Sequence, residues 1–451
     1  MGEIAESARR TPVAAEADVC VVGGSCTGVF AAVSAARLGA RVVLIEANGF
    51  FGGVATAGLV NHWHSTLDTS YARPVIGGLT TEIIERLAQR GAVREQRPTE
   101  AVHYVLNTAE LMVELDRLVA ESGVRPFLHA RFVAAAMEDG RVTAAVVEDK
   151  TGRRAVRAGY FIDATGDGDV VARAGLPVRK ARTLQPPTTC AVVHGLEEIR
   201  RRNPKFSLDK AVFDSRHGGE IPLGFLWSSE LVGVPDARMI AGTRVPGADC
   251  SDADELTAAE IEGRRQVGVI CQILRRQPGG EGISLVSLPS CIGVRQTRQA
   301  CCLHTLSEKE LLSGERFDDA VANGTYRVDV HHSDKPGLTF RYLDGRQEYV
   351  VPGREPELSR WRPETTENPT FYQIPYRSLV PRGSRNVLVA GRLIDADEGA
   401  YGAVRVMVNC NQTGQAAGAA AHLALKGHLD VPDVSPQDLR AALSRQGAVV
   451  L

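Results

Sequence analysis

Apolar and polar residues alternate with two different rhythms along this chain. Residues 19–22 form a short unbroken apolar run, the pattern of a strand buried on both faces. Gly23 and Gly24 end it, and residues 30–38 continue at helical spacing until Gly39. Residues 42–45 are a second buried run, closed by Glu46. Strand, glycine turn, helix, strand and acid make up a βαβ unit. Farther on, 82–89 and 108–121 predict amphipathic helices, the second with Leu111, Leu115 and Leu118 on one face and Gly123 as its stop. Residues 124–137, 141–148 and 153–158 predict a three-stranded antiparallel excursion, with turns at Asp139-Gly140 and Thr151-Gly152. The chain returns through an apolar strand into Ala164-Thr165-Gly166. From 176 to 371 the buried-strand pattern is lost, prolines become frequent, and 258–277 is the clearest helix. Residues 386–389 then restore it, ending in Ala390-Gly391-Arg392, and a helix rich in Gly and Ala follows from Asn409. A short surface helix is expected at 439–443. These shifts divide the chain into a loose tail (1–17), a first domain in two parts (18–175 and 372–428), an inserted domain (176–371) and a C-terminal extension (429–451).

The first unit carries chemistry as well as pattern. Gly23 permits a tight turn, Gly28 lets the next helix pack closely, and that helix directs free N–H groups at an anion. Glu46 lies 23 residues after Gly23, where a carboxylate can accept ribose hydroxyl hydrogen bonds. One residue departs from G-x-G-x-x-G. Ser25 occupies the middle glycine position, and it is small enough to contact phosphate. Residues 47–58, containing Gly49, Gly52, Gly53 and Gly58, are bare enough to lie flat against a large planar ligand. The late small-residue helix, capped by Asn409, Asn411 or Thr413, offers a positive end to a ring that gains charge.

Composition narrows the classes. With 451 residues, 44% hydrophobic and 24% charged, the chain is of ordinary globular make-up and long enough for two connected domains. A net charge of −2 gives no general pull toward nucleic acid or an anionic membrane. No apolar stretch reaches spanning length, and a cytoplasmic location is the expectation. Nine cysteines without a C-x-x-C pair argue against a disulfide framework, a zinc ribbon or an iron–sulfur cluster. The acidic run 163–169 reads as turn chemistry, so no metal is expected.

Candidate chemistry is sparse outside the glycine segments. His62 and His64 read as polar lining of a domain junction or as ligand contacts. Arg295 and Arg298, three apart, either clamp a carboxylate together or tie their segment to acids elsewhere. Adjacent His331 and His332 cannot share a strand face, so one at most looks into a site.

Taken together, V-V-G-G-S-C-T-G (21–28), E-A-N-G-F-F-G-G (46–53), D-A-T-G-D-G-D (163–169), I-G-V-R-Q-T-R (292–298), Y-Q-I-P-Y-R (372–377), N-V-L-V-A-G-R (386–392) and G-Q-A-A-G (414–418) resemble the FAD-dependent oxidoreductase family, within the glutathione-reductase-like superfamily and with fumarate-reductase-like relatives. The resemblance spans about 18–426. It implies an α/β fold: a Rossmann-like FAD-binding domain with an antiparallel β excursion, plus an inserted α+β substrate domain. It places Gly23, Gly24, Ser25 and Gly28 at the FAD pyrophosphate, Glu46 with Ala47 at the ribose, and Gly52, Gly53 and Thr56 toward the flavin side. Backbone at Phe132 or Val133 reads adenine, Ala164, Thr165 and Gly166 close over the cofactor, and Gly391 with Arg392 meets the ribityl chain. Asn409, Thr413 and Gly414 form the helix end at the flavin. Two departures stand out. Arg392 replaces the acid of A-G-D, with Asp395 as a candidate substitute, and residues 405–411 replace R-V-M-P-T-C-M with a more polar version.

No second glycine-rich βαβ unit and no halogenase tryptophan motif are visible. The expected activity is therefore a dehydrogenase or oxidase moving a hydride between a small polar or carboxylated substrate and flavin N5. Arg295 or Arg298 orients the substrate, and a histidine (His62, His64, His331 or His332) takes the proton, with Tyr376 and Tyr401 behind them. The alternatives are a flavin monooxygenase or tailoring hydroxylase, and a non-catalytic flavoprotein or electron-transfer subunit. The expected partner is a small molecule, with a homodimer left open and covalent attachment of the flavin to a histidine also open.

Overall fold

The computed structural model describes residues 2–5, 8–99, 103–217 and 219–451. Its centre is a seven-stranded sheet. β1 (Val13–Val22) runs into α1 (Cys26–Arg37), which leads to β2 (Val42–Ile45). Two amphipathic helices, α2 (Leu79–Gln89) and α3 (Thr108–Glu121), lie outside, and β3 (Arg125–Phe127) returns parallel to β2. β4 (Arg131–Glu138) and β5 (Arg141–Asp149) form an antiparallel flap. β6 (Gly152–Asp163) belongs to both parts. It pairs antiparallel with β5 at its start and parallel with β1 along its length, from Val13↔Ala155 to Val22↔Asp163. The excursion and the return strand are thus one element, where the pattern predicted two.

Past the short helix α4 (Asp169–Arg173), a second unit forms around an antiparallel sheet. It contains β7 (Cys190–His194), β8 (Trp227–Leu231), β9 (Val234–Ala241) and β10 (Ser284–Ser287), crossed by α5 (Ala253–Arg275). Val193, Ile240, Ile270 and Leu274 are the core of this unit. The chain goes back to the first unit through β11 (Arg298–Ala300) and β12 (Ala320–Gly324). A four-stranded meander follows: β13 (Val328–His331), β14 (Leu338–Arg341), β15 (Arg346–Val350) and β16 (Glu357–Arg360). β17 (Tyr372–Pro375) pairs with β12, and β18 (Val387–Val389) lies parallel to the end of β6. Helices α6 (Glu398–Val404), α7 (Met407–Gly427) and α8 (Pro436–Arg445) close the fold.

α1 and α7 pack against each other along their length, and that packing explains the small residues of both. A Cβ at Gly414 would meet the Thr27 carbonyl at 2.1 Å, and one at Gly418 the Ala31 carbonyl at 2.1 Å. Only glycine allows that approach. All residues from Cys26 to Ala35 are buried as a result.

Several sequence expectations change here. The tail does not extend to residue 17, because pairing with β6 begins at Val13. The segment 124–137 is two strands, separated at His129, whose φ is 53°. Asn409, Asn411 and Thr413 do not cap α7, which starts at Met407. The helix at 436–445 is no surface element along one face, since Leu439 and Leu443 are fully buried. The segment 302–371, assigned to the insertion by pattern, sends Leu306, Leu311, Val328 and Val330 into the core built on α1 and α7. Among the described residues, no helix is long and apolar enough to cross a membrane.

Candidate functional site: a nucleotide cleft opening on an arginine chamber

The turn after β1 starts the site. Gly23 has φ 101° and donates its N–H to the Ile45 carbonyl at 2.8 Å. A Cβ at Gly28 would lie 1.7 Å from the Gly23 carbonyl, so the first turn of α1 sits directly on the loop. Ser25 is the N-cap of α1, with its hydroxyl accepting the Gly28 N–H at 3.5 Å. The serine in place of a glycine therefore has a structural use. Glu46 accepts the Gly24 N–H at 2.6 Å through Oε2, and the Asn48 N–H and side-chain amide at 2.7 and 2.8 Å through Oε1. Burial pushes its carboxyl up, and these donors oppose that shift.

These groups line a cleft of about 420 Å³. Of the residues expected at the cofactor, Gly23, Ser25, Glu46, Ala47, Gly52, Gly53, Phe132, Val133, Ala164, Thr165, Gly166, Gly391 and Arg392 line it. Cys26, Thr27, Arg131 and Asn411 join them. Six other expected residues stand behind the wall. Gly24 holds Glu46, and Gly28 seats α1. Thr56 donates to the Phe51 carbonyl at 2.7 Å. Asn409 ties Tyr372 and the Ala403 carbonyl at 2.8 and 3.1 Å. Thr413 accepts the Gly391 N–H at 3.0 Å, and Gly414 abuts Thr27. Asp395 does not replace the missing acid of A-G-D, because it is buried on the Cys302 N–H and Arg179.

The cleft adjoins a second cavity of about 620 Å³. Val54, Val294, Arg392, Arg405 and Met407 line both. The chamber wall brings together His62, His64, Arg295, Arg327, Asp329 and His331 from three separate stretches of chain. Asp329 is its electrostatic hub. Its carboxylate accepts from Tyr326 at 2.9 Å, from His331 at 3.3 Å and from Arg405 at 3.4 Å. Nδ1 of His331 lies 2.9 Å from Arg244 Nη2. Arginine only donates, so Nδ1 accepts and the Nε2 proton points at Asp329. Both imidazole nitrogens are thereby engaged. His64 differs: its Nδ1 has no partner, and its ring is tilted against Tyr326 at 4.1 Å. Burial pushes His64 down to about 3, with Arg327 and Arg405 adding to the effect. His62 stacks on Trp227 at 4.4 Å, and burial pushes it down to about 4. Both rings are therefore neutral at ordinary pH and able to take a proton.

The remaining candidates do not converge here. Arg295 reaches the chamber and donates to the Pro186 carbonyl at 2.6 Å and to Thr188 at 2.5 Å. Arg298 points away, to the Asp167 carbonyl and Asp169 at 2.7 and 2.8 Å, because it begins β11. His332 faces the opposite side of its strand end and bonds Thr339 at 2.8 Å, so only one of the adjacent histidines enters the site. Tyr376 is buried on the Val431 carbonyl. Tyr401 donates to the Arg295 carbonyl at 2.9 Å and so steadies that residue from behind. Arg244, Arg327, Asp329 and Arg405 went unrecognised in the sequence. Part of that signal was present: Arg327, Asp329 and His331 alternate with Val328 and Val330, a charged face backed by an apolar one.

Residues 18–443 match the model of the FAD dependent oxidoreductase family, and the chain belongs to that family. A search of curated proteins found no match. Among solved structures, a geranylgeranyl bacteriochlorophyll reductase-like protein from Thermoplasma acidophilum is similar at 14% identity, over 96% of this chain and 83% of that one, with a TM-score of 0.49. The p-nitrophenol 4-monooxygenase PnpA from Pseudomonas putida DLL-E4 is similar at 12% identity, over 95% and 86%, with a TM-score of 0.47. These are likenesses of overall shape, and nothing about the reaction is drawn from them.

FAD is the cofactor of this family, and the cleft suits it. The N-terminal end of α1 and Gly53 line the cleft where a pyrophosphate would meet N–H donors, the Gly52 N–H being given to the Gly24 carbonyl at 2.9 Å, and Glu46 lines it where it would reach a ribose. At the other end Asn411 keeps both amide atoms unpaired in a buried position, and Arg392 keeps one guanidinium nitrogen unpaired. Unmet buried hydrogen-bonding capacity of this kind calls for a polar ligand edge.

Proposed function

We propose that this protein is an FAD-dependent dehydrogenase or oxidase that oxidises an organic acid held in the arginine chamber. The observation that supports this reading most is the shared wall. The Gly391–Met407 end of the cleft shares Val54, Val294 and Arg405 with the chamber, so a flavin ring held there would border it. Bound FAD supplies a hydride acceptor there. The chain's own residues do the rest. Arg295 and Arg405 orient an anionic group of the substrate; the Pro186 carbonyl and Thr188 hold the Arg295 guanidinium, Tyr401 holds the Arg295 backbone carbonyl, and Asp329 holds the Arg405 guanidinium. His64 lines the chamber as a neutral ring, and it takes the substrate's hydroxyl or amine proton. A bound anion offsets Arg327 and Arg405, the charges that lower His64, and so raises its proton affinity at the moment of use. His331 holds Asp329 and takes no proton itself.

The test is anaerobic reduction of the FAD-loaded protein by a panel of 2-hydroxy and 2-amino acids. His64→Gln is expected to slow reduction about 100-fold with little change in flavin content. Consumption of NADPH with oxygen, and entry of labelled oxygen into product, would replace this reading with a hydroxylase.

A further inference from the structure

Asn411 is a buried amide that the protein leaves unused. Its side chain lines the cofactor cleft with the residue only 1% exposed, and neither Oδ1 nor Nδ2 has a hydrogen-bond partner. The glutamines on the same helix are committed to the protein. Gln412 accepts the Asn323 N–H at 3.1 Å and donates to the Asn323 carbonyl at 2.7 Å. Gln415 accepts the Leu79 N–H at 3.0 Å and donates to the Gln446 carbonyl at 3.4 Å. A buried amide with both ends unmet is costly unless a ligand completes it.

The neighbours say which ligand edge that is. Met407 lies four residues before Asn411, so the two share one face of α7, and Met407 lines both the cleft and the chamber. Arg392 and Arg405, which line the same end, can only donate. Asn411 both donates and accepts, so its match is an edge with a donor beside an acceptor. FAD has two such edges, one on adenine and one on the isoalloxazine, where N3–H lies between the C2 and C4 carbonyls. Position chooses between them. Redox chemistry needs the isoalloxazine at the end of the cleft that borders the chamber, and Asn411 is at that end. From this we infer that Asn411 reads the pyrimidine edge of the flavin: Oδ1 accepts from N3–H, and Nδ2 donates to a flanking carbonyl. Placing the ring there rests on the chamber being the substrate site; the identity of the substrate does not enter. Charge gained on reduction spreads onto those carbonyls, so a donor beside them favours the reduced form. Asn411 thereby raises the flavin potential as well as holding the ring.

Two readouts test this without turnover. Fluorescence titration of the full-length protein, freed of flavin, compares FAD with N3-methyl-FAD for the natural chain and for Asn411→Ala. The natural chain is expected to prefer FAD by about tenfold or more, and the Ala variant to bind both within about threefold. Redox titration against a reference dye is expected to show a tenfold weaker preference for reduced flavin in Asn411→Ala, about 30 mV more negative for a two-electron couple. Asn411→Asp keeps the side chain's size but not its donor, and its potential should also fall if the Ala variant folds poorly. Equal binding of the two flavins by the natural chain, a methyl penalty that persists undiminished in Asn411→Ala, or an unchanged potential in both variants overturns the inference. If the natural chain takes up neither flavin, the inference falls with the cofactor assignment. Failure of every acid in the panel to reduce the flavin would remove the proposed reaction and leave these measurements intact.

Discussion

Asp163, at the end of β6, shows how single residues hold the cleft open. Its two carboxylate oxygens accept four hydrogen bonds: from the Thr165 N–H and hydroxyl at 3.1 and 2.7 Å, and from the Val170 and Val171 N–H groups at 2.8 and 3.0 Å. The Ala164–Gly166 turn and the start of α4 are both tied to it. Asp163→Ala leaves these buried donors unpaired, and chemical denaturation should show a loss of about 3 kcal/mol. His64 and His62 make a second prediction. Their folded-state proton affinities lie below the ordinary histidine value, at about 3 and about 4. Between those values and about 6.5 the unfolded chain binds protons that the folded one does not. Stability therefore rises with pH through that window and is flat above it. Replacing both residues with Gln should reduce that dependence in denaturant titrations at pH 5 and 7. By the same logic the acid limb of kcat/KM, which reports the free enzyme, should fall well below pH 6.5.

At the level of elements, the α1–α7 contact determines whether the cleft exists. Gly414 and Gly418 let the two backbones meet, and Thr413 holds the Gly391 turn from the same helix. Gly418→Ala puts a methyl 2.1 Å from the Ala31 carbonyl, and a thermal melt should show a loss of about 2–3 kcal/mol. This part of the fold was legible because it is local. The apolar run, the glycine turn and the acid lie within about thirty residues, and each has a strong backbone requirement. The chamber was less legible because it is assembled at long range. The short strand His62–Trp63, strand β8, the 293–295 loop, strand β13 and Arg405 meet only after the insertion folds back. Arg298 misled for a related reason: spacing of three suggests one face only on a helix, and the chain there is entering a strand.

For the whole molecule, the cofactor and the fold support each other. The cleft draws on both halves of the first unit, from Gly23 to Gly166 and from Ala390 to Asn411, and on Cys250, Glu260 and Cys291 of the insertion. A ligand bound across all three segments stabilises only the folded chain. FAD at 100 times its dissociation constant is expected to add about 2.7 kcal/mol, visible as a concentration-dependent Tm. The chamber lies on the same seam, between the β7–β10 sheet and the meander, so substrate should add to that shift and not compete with it. The measurement that bears most directly on the account is flavin stoichiometry by extraction after reconstitution, for the natural chain and for Gly28→Val. A Cβ at residue 28 collides with the Gly23 carbonyl, beneath the proposed pyrophosphate site. The account predicts one FAD per chain for the natural protein and little or none for a folded Gly28→Val variant. A natural protein that takes up no FAD, or a variant that retains it fully, would contradict it.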